Sequence, residues 1–534
     1  MTLNLATLYE AVARVVPDRP AVTCGAVTRT YAELDRRANR LAAHLVKAGV
    51  EPGRHVGVYL LNSVEYVEVM LACFKARAVP ININYRYVEN ELLYLFEDAQ
   101  LHTVVVGTDH APRVAALAGR ATHLRHVLVV GDEPEPVAWD ERLTGAGYEK
   151  ALAAWPGDRG PRTDLTEDDR FVLYTGGTTG MPKGVVWRHE DFFFAALLGA
   201  NPYGEPHTSV SEVTQAAQAG TPLTYLIAMP LMHGAASYTL FMGLLGGAHI
   251  VLLRTFDPME ALREIERHRV QIVGLVGDAQ ARPLAEALRE HGGEFDLASL
   301  FVIGSGGAIL SRSTQEALQE RLPNIMVRNS FGASESGADG TIVVGEDGLM
   351  RLQPSPSVRV VDEDLADVAP GGGQLGRLAR SGHVPLAYFN DPDRTRATFP
   401  VIDGVRWVVL GDVAEVEADG TIVVHGRGSG CINSGGEKVF PEEVEQALKG
   451  HPAVMDALVA GVPDERFGHR VGAVVEPRPG HADLDPEELR LHCRSLLAGY
   501  KVPATIRIVE RVLRSPSGKA DYGWAKRVVA AGTS

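Results

Sequence analysis

The stretch Tyr174-Thr-Gly-Gly-Thr-Thr-Gly-Met-Pro-Lys-Gly184 sets three glycines and three threonines within seven residues, directly after a segment that reads as a strand. Backbone amides and hydroxyls of Thr175, Gly176, Gly177, Thr178 and Thr179 can close around phosphate oxygens, and Lys183 supplies a cation. A solvated Gly/Thr turn is the ordinary alternative. A Walker loop is excluded, because it needs Lys immediately after Gly and a hydroxyl residue after the Lys. Here Met181 and Pro182 intervene, and Gly184 follows the Lys.

Other residues carry matching chemistry. In Asn329-Ser-Phe-Gly-Ala-Ser-Glu335, Phe331 is a plate that can stack on a purine, Ser334 offers a hydroxyl to an α-phosphate, and Glu335 is a hard oxygen ligand for magnesium. Asp412 follows the apolar run 405–410 and can accept two hydrogen bonds from a ribose diol; Arg427 can donate to ribose or phosphate. Each has a plain structural reading by itself. Asp412 and Arg427 would be surface ion-pair residues, His233 a satisfied core histidine, and Lys519 an exposed lysine in a Pro/Ser/Gly loop.

Further motifs occur in order along nearly the whole chain: Pro230-Leu-Met-His233-Gly, Gly304-Ser-Gly-Gly-Ala308, Gly411-Asp412, Gly426-Arg427, Gly435-Gly-Glu-Lys-Val-Phe-Pro-Glu-Glu-Val-Glu445, Tyr500-Lys-Val-Pro503 and Ser515-Pro-Ser-Gly-Lys519. The series resembles the adenylate-forming superfamily of acyl-CoA synthetases, nonribosomal-peptide adenylation domains and beetle luciferases. The resemblance implies ATP, Mg²⁺ and coenzyme A. It assigns the nucleotide to Thr175–Thr179 and Lys183, to Gly306, Gly307 and Ala308, to Asn329, Ser330, Phe331, Gly332 and Ser334, to the ribose pair Asp412 and Arg427, and to Lys519. It assigns the metal to Thr178 and Glu335. His233 orients the carboxylate, and Lys519 neutralises charge between carboxylate and α-phosphate. Gly435 and Gly436 would line the pantetheine tunnel after the C-terminal domain rotates. Two positions depart from the family pattern: Ser429 stands where the hinge is usually Asp or Lys, and Gly176 stands where Ser is common.

The reaction implied has two steps. A carboxylate attacks the α-phosphate of ATP to form an acyl adenylate and pyrophosphate, and a thiol then displaces AMP. Catalysis is positioning plus electrostatics, and no covalent nucleophile is required. The acyl pocket is expected at 223–245 and 304–310, apolar regions without a cation or acid placed for an amino-acid substrate. The expected substrate is a hydrophobic acid. The combination of 174–191 with Val276-Gly-Asp-Ala-Gln-Ala-Arg-Pro283 looks like actinobacterial long-chain fatty-acid and sterol side-chain CoA ligases. A medium- or long-chain fatty acid is the first reading; a steroid side-chain acid, or an acceptor other than CoA, are the alternatives. A nonribosomal module is not expected, since only a short tail follows Lys519.

These residues must be positioned by a large scaffold. The chain has 534 residues, 45% of them hydrophobic, and a net charge of −15 from 52 Lys and Arg against 67 Asp and Glu. That acidity excludes a global field for nucleic acid or anionic lipid. Four scattered cysteines with no C-x-x-C pair, and an N-terminus without a secretion pattern, point to the cytoplasm. Residues 213–253 lack Asp, Glu, Lys and Arg, but Pro222, Pro230, His233 and Gly234 interrupt them, so a soluble strand–helix–strand unit is expected in place of a membrane span. Peripheral membrane contact and a homodimer are left open.

Strand and helix patterns alternate through the first two thirds, as in residues 31–49, 56–61 and 64–78, and predict α/β subdomains with parallel strands. Helices are read at 258–268, 283–291 and 441–449, and a hairpin within 412–424 with Asp419-Gly420 at its turn. The expected organisation is an N-terminal AMP-binding domain, 1–428, with a β-rich subdomain at 350–428, and a small mobile α+β domain, 429–534.

Overall fold

A computed structural model describes the chain except residues 1, 132–137, 158, 162–163, 176–180, 309, 346–348, 428–429, 435–436, 465–467, 498, 515–518 and 532–534. The architecture is mixed α/β, with two large sheets in the N-terminal domain and one small sheet in the C-terminal domain.

Local sequence explains the helices. Tyr31–Lys47 starts at a capping box in which Thr30 accepts from the Glu33 amide and the Glu33 carboxylate accepts from the Thr30 amide. Its stripe of Leu34, Ala38, Leu41, Ala42 and Leu45 is buried. Pro258–His268 is capped by Asp257 and has Pro at its first position. Val64–Lys75 buries every residue but Glu65, and its last residue, Lys75, is held by Glu10 at 2.6 Å and Asp35 at 2.8 Å. A buried ammonium needs such partners.

The first sheet runs, in spatial order, Ala387–Tyr388, Lys183–Arg188, Arg170–Thr175, Val79–Asn82, His55–Tyr59, Thr103–Gly107, His126–Val130 and Thr144–Gly147. From Arg170–Thr175 onward it is parallel, as strands joined by helices require. Arg170–Thr175 and Lys183–Arg188 pair antiparallel instead. The connection is too short for a crossover.

The second sheet contains the parallel strands Pro20–Cys24, His249–Leu252, Thr224–Ile227, Ile272–Leu275, Val302–Gly306 and Met326–Ala333. It continues antiparallel through Gly337–Val344, Met350–Leu352, Ile422–Arg427, Val405–Val416, Gly376–Ser381 and Val358–Val361. The β-rich strands after 350 are thus hydrogen-bonded to the α/β sheet. Helices Leu5–Val15, Val64–Lys75 and Gly234–Leu245 share one core with both sheets. The helix Gly234–Leu245 has 12 residues, and no described helix is long and apolar enough to cross a membrane.

The third sheet joins Glu437–Val439, Ile432–Ser434, Gly468–Pro477, Val454–Asp464 and Thr505–Ile508. Its own core forms against Pro441–Lys449 and Pro486–Leu496.

One helix starts earlier than its sequence pattern suggests. Gly277–His291 carries Pro283 in its interior, although Pro there removes a helical hydrogen bond. One local and two tertiary contacts support the extra turns: the Val276 amide donates to Gln280 Oε1 at 2.9 Å, Gln280 Nε2 donates to the Ala228 carbonyl at 2.9 Å, and the Gly277 amide donates to Ser305 Oγ at 2.9 Å.

Candidate active site

The glycine/threonine motif sits on the antiparallel hairpin, with Thr175 opposite Lys183. Gly176, Gly177, Thr178 and Thr179 lie outside the described residues. The stem is fixed by buried Asn82. Its Oδ1 accepts from the Tyr174 amide at 2.7 Å, and its Nδ2 donates to the carbonyls of Tyr174 (2.8 Å) and Met232 (2.7 Å). One amide therefore ties the hairpin to the segment before His233. The Tyr174 hydroxyl donates to Asp98 at 2.6 Å. A Cβ at Gly184 would lie 2.7 Å from the Tyr174 ring, so that position requires glycine.

The His233 segment has a second buried asparagine. Asn62 donates to the carbonyls of Met229 and Leu253, both at 2.9 Å, and accepts from the Leu231 amide at 2.7 Å. Ser237 donates to the Leu231 carbonyl at 2.8 Å. His233 is then the residue before helix Gly234–Leu245, with extended φ/ψ and no side-chain capping bond. Its Nε2 is closed from solvent and finds no hydrogen-bond partner among the described residues. Burial, then the charges of Lys519 and Arg86, bring its pKa down to about 3. The imidazole is neutral at physiological pH.

Gly306 and Gly307 approach the first turn of that helix. A Cβ at Gly306 would stand 3.3 Å from Ala235 Cβ, and Gly307 has φ +82°. Ala308 packs against the main core. Asn329 spends both ends of its amide on Leu310, accepting from its N–H at 3.2 Å and donating to its carbonyl at 3.1 Å, so it shapes this loop. Ser330 is exposed and registers with Gly306 on one side and Thr341 on the other. Phe331 packs against the core. Gly332 admits no side chain, because a Cβ would fall 2.1 Å from the Gly337 carbonyl oxygen.

Ser334 presents its carbonyl to Trp187 Nε1 at 3.1 Å, and Glu335 accepts from the Tyr388 hydroxyl at 2.8 Å. The Lys183 ammonium lies 5.7 Å from the Tyr388 ring centroid. Burial, followed by Arg394, lowers the Lys183 pKa, while Glu335 and Asp391 act against that shift. Burial and then the Glu335 charge push the Tyr388 phenol up, which keeps it a donor. Lys183, Tyr388 and Glu335 thus form one cluster beside the hairpin. A lone carboxylate of this kind fits Mg²⁺, which is usually held through one or two carboxylates plus substrate phosphates.

Asp412 is buried and registers opposite Arg427, whose side chain lies outside the described residues. Nearby, buried Asp339 is paired with Arg380 at 3.2 Å and accepts from Ser336. Its carboxyl is pushed up to about 6, by burial first and also by Asp412, against the pull of Arg380.

Lys519 is exposed, and its charge is among those that depress the His233 pKa, so it lies within electrostatic reach of that ring. The next residue, Ala520, forms an antiparallel bridge with Arg514. Gly435, Gly436 and Ser429 lie outside the described residues; the flanking strands pair Ser434 with Glu437.

Residues 9–385 match the family described as AMP-binding enzyme, and residues 443–519 match the AMP-binding enzyme C-terminal domain. The chain belongs to the AMP-binding enzyme family. It is 43% identical over 539 residues to a medium/long-chain-fatty-acid–CoA/3-oxocholest-4-en-26-oate–CoA ligase of Mycolicibacterium smegmatis, covering 99% of this chain and 97% of that one. It is 43% identical to a 3-oxocholest-4-en-26-oate–CoA ligase of Rhodococcus rhodochrous, with 98% and 96% covered. Its fold matches an anthranilate CoA ligase in complex with anthranoyl-AMP at a TM-score of 0.82, with 23% identity and 97% and 95% covered. As a member of this family the protein is an ATP-dependent, AMP-forming ligase.

Sequence reasoning about this AMP-binding enzyme missed Asn82, Asn62 and Tyr388. Each asparagine ends or follows an apolar strand, where a polar residue must find partners. Tyr388 had no comparable signal, because its partner Glu335 is 53 residues away.

Proposed function

We propose that this enzyme activates a hydrophobic carboxylic acid with ATP and passes the acyl group to coenzyme A. The observation that carries the reading is the cluster of Lys183, Tyr388 and Glu335 beside the glycine/threonine hairpin, with the charge of Lys519 within electrostatic reach of buried His233. The substrate carboxylate lies beside neutral His233, which orients it by hydrogen bonding. Its oxygen attacks the α-phosphorus, the bond to the bridging oxygen of pyrophosphate breaks, and pyrophosphate leaves. Lys519 offsets the negative charge that builds between the two anions, and Lys183 with the Thr175–Thr179 loop holds the departing phosphates. Glu335 and Thr178 would hold Mg²⁺, which supplies further neutralisation of phosphate charge. Phe331, Ser334, Asp412 and Arg427 would hold adenine, α-phosphate and ribose.

In the second step the CoA thiol attacks the acyl carbon and AMP leaves. The segment after residue 428 rotates about Ser429, withdraws Lys519 and brings Gly435 and Gly436 to the pantetheine. A medium- or long-chain fatty acid is the favoured substrate. The steroid side-chain acid is the second reading, supported by the names of both curated relatives.

The test is mass spectrometry of products from ATP, Mg²⁺, CoA and a panel of fatty, aryl, amino and steroid acids, with Lys519→Ala in parallel. A fatty-acyl or steroidal CoA thioester that the variant fails to make is the expected result. Acyl-AMP without thioester would refute the CoA acceptor, and absence of product from every acid would refute the activity.

A further inference from the structure

A buried charge cluster joins the C-terminal domain, which carries Lys519, to the N-terminal domain. Arg514, bridged to Ala520 beside Lys519, grips Asp456 with two nitrogens of its guanidinium, at 2.6 and 2.7 Å. Lys449 Nζ stands 3.6 Å from Asp456 and 3.6 Å from Asp278, on the N-terminal helix Gly277–His291. Asp278 is fixed in turn by the Ser311 amide (2.9 Å) and hydroxyl (3.0 Å). Arg282, one turn on, donates across the boundary to the Val454 carbonyl at 3.0 Å, and Ser313 donates to the Lys449 carbonyl at 3.1 Å. Asp278, Arg282, Lys449 and Asp456 are all at most 8% exposed.

We propose that Asp278, Lys449, Asp456 and Arg514 are positioning residues that hold Lys519 in the adenylating pose and let go of one another across the domain boundary for the thioester step. This rests on the two-step reading above.

The charge arithmetic suits a releasable contact. On the N-terminal side Asp278 is matched by Arg282. On the C-terminal side Asp456 and buried Glu445 are matched by Lys449 and Arg514. Separation breaks the ion pairs Lys449–Asp278 and Arg478–Glu286 and the hydrogen bonds that Arg282 and Ser313 donate across the boundary, and water replaces each of them. Removing Asp278 or Lys449 instead leaves an unmatched charge in either pose, and only in the closed pose is that charge kept from water. Such a change disfavours closure selectively. The Arg514–Asp456 pair lies wholly within the C-terminal part and, through the Arg514–Ala520 bridge, transmits the docked position to Lys519.

The experiment separates the half-reactions in full-length protein. Adenylation is read as dodecanoate-dependent ATP–pyrophosphate exchange, and thioester formation as conversion of supplied dodecanoyl-AMP and CoA. Asp278→Asn and Lys449→Gln should lower kcat for exchange at least tenfold with little change in KM for ATP, and leave thioester formation within twofold. Ser313→Ala, a milder variant that keeps every charge, should shift exchange in the same direction by a few-fold, and Arg514→Lys should retain more exchange than Arg514→Ala. Equal losses in both half-reactions, or exchange unchanged in Asp278→Asn and Lys449→Gln, would overturn the proposal. Exchange that survives Lys519→Ala would overturn the role of Lys519 and the proposal with it, whereas absence of dodecanoate-dependent exchange in the parent would overturn the two-step reading beneath it.

Discussion

The Tyr388 hydroxyl donates to the Glu335 carboxylate at 2.8 Å, joining a strand of two residues at the sheet edge to the end of the 329–335 motif. Hydrogen bonds to a charged group contribute roughly 1.5–3 kcal/mol. Tyr388→Phe removes the donor and keeps the ring beside Lys183. The expected outcome is a loss of about 10- to 100-fold in acid-dependent pyrophosphate release, with a raised Mg²⁺ requirement, measured by titrating Mg²⁺ at saturating ATP. An unchanged Mg²⁺ curve and rate would dismiss Glu335 as a ligand that needs Tyr388.

Asn82 satisfies two carbonyls and one amide from segments 92 and 150 residues away. Asn82→Ala leaves these buried groups without their partner, and each such group costs about 1–3 kcal/mol. We expect a clear fall in the denaturant midpoint together with loss of ATP binding, read by equilibrium unfolding with and without ATP. A variant as stable as the parent would show that water replaces the amide.

The His233 pKa of about 3 lies below the ordinary value of 6.5. A depressed histidine binds fewer protons folded than unfolded, so its contribution to stability is fully present above about pH 6.5 and is lost as pH falls toward 3. Its charge state does not change between pH 5 and 8. The pH profile of adenylation should therefore keep its shape in His233→Asn while dropping in height. A limb near pH 6.5 that disappears in the variant would contradict a neutral imidazole.

Asp339 shifts the other way, from 3.8 to about 6. A raised carboxyl binds more protons folded than unfolded, so stability falls as pH rises from about 4 to 6 and stays lower above that. Two pKa units correspond to roughly 3 kcal/mol. Asp339→Asn should flatten the stability difference between pH 4 and pH 7 relative to the parent, measured by urea unfolding at each pH. Parallel curves for the two proteins would place the Asp339 pKa at its ordinary value.

Much of the framework was legible along the chain. Helices at 258–268 and 441–449 appear with the bounds their periodicity implies, because a proline at the first position and an apolar stripe act locally. The hairpin with Asp419-Gly420 at its turn is local too, since Asp419 accepts from the Thr421 amide at 2.9 Å and Gly420 takes φ +90°. Helix Gly277–His291 begins before Pro283, where its local pattern predicts a start, since its first turns depend on Ser305 and on Gln280 packed in place. The antiparallel pairing beside Lys183 departs from the parallel rule because its connection is short.

Residue types and order alone pointed to phosphate binding, an adenylate chemistry and an α/β scaffold, since glycines, hydroxyls and hydrophobic period are properties of short stretches. Folding decided which distant groups face each other. Asn82 reaches Tyr174 and Met232, Tyr388 reaches Glu335, and Lys449 lies between Asp278 and Asp456. Those pairings follow from buried polar groups seeking partners across the packed core, a requirement that local sequence states but does not solve.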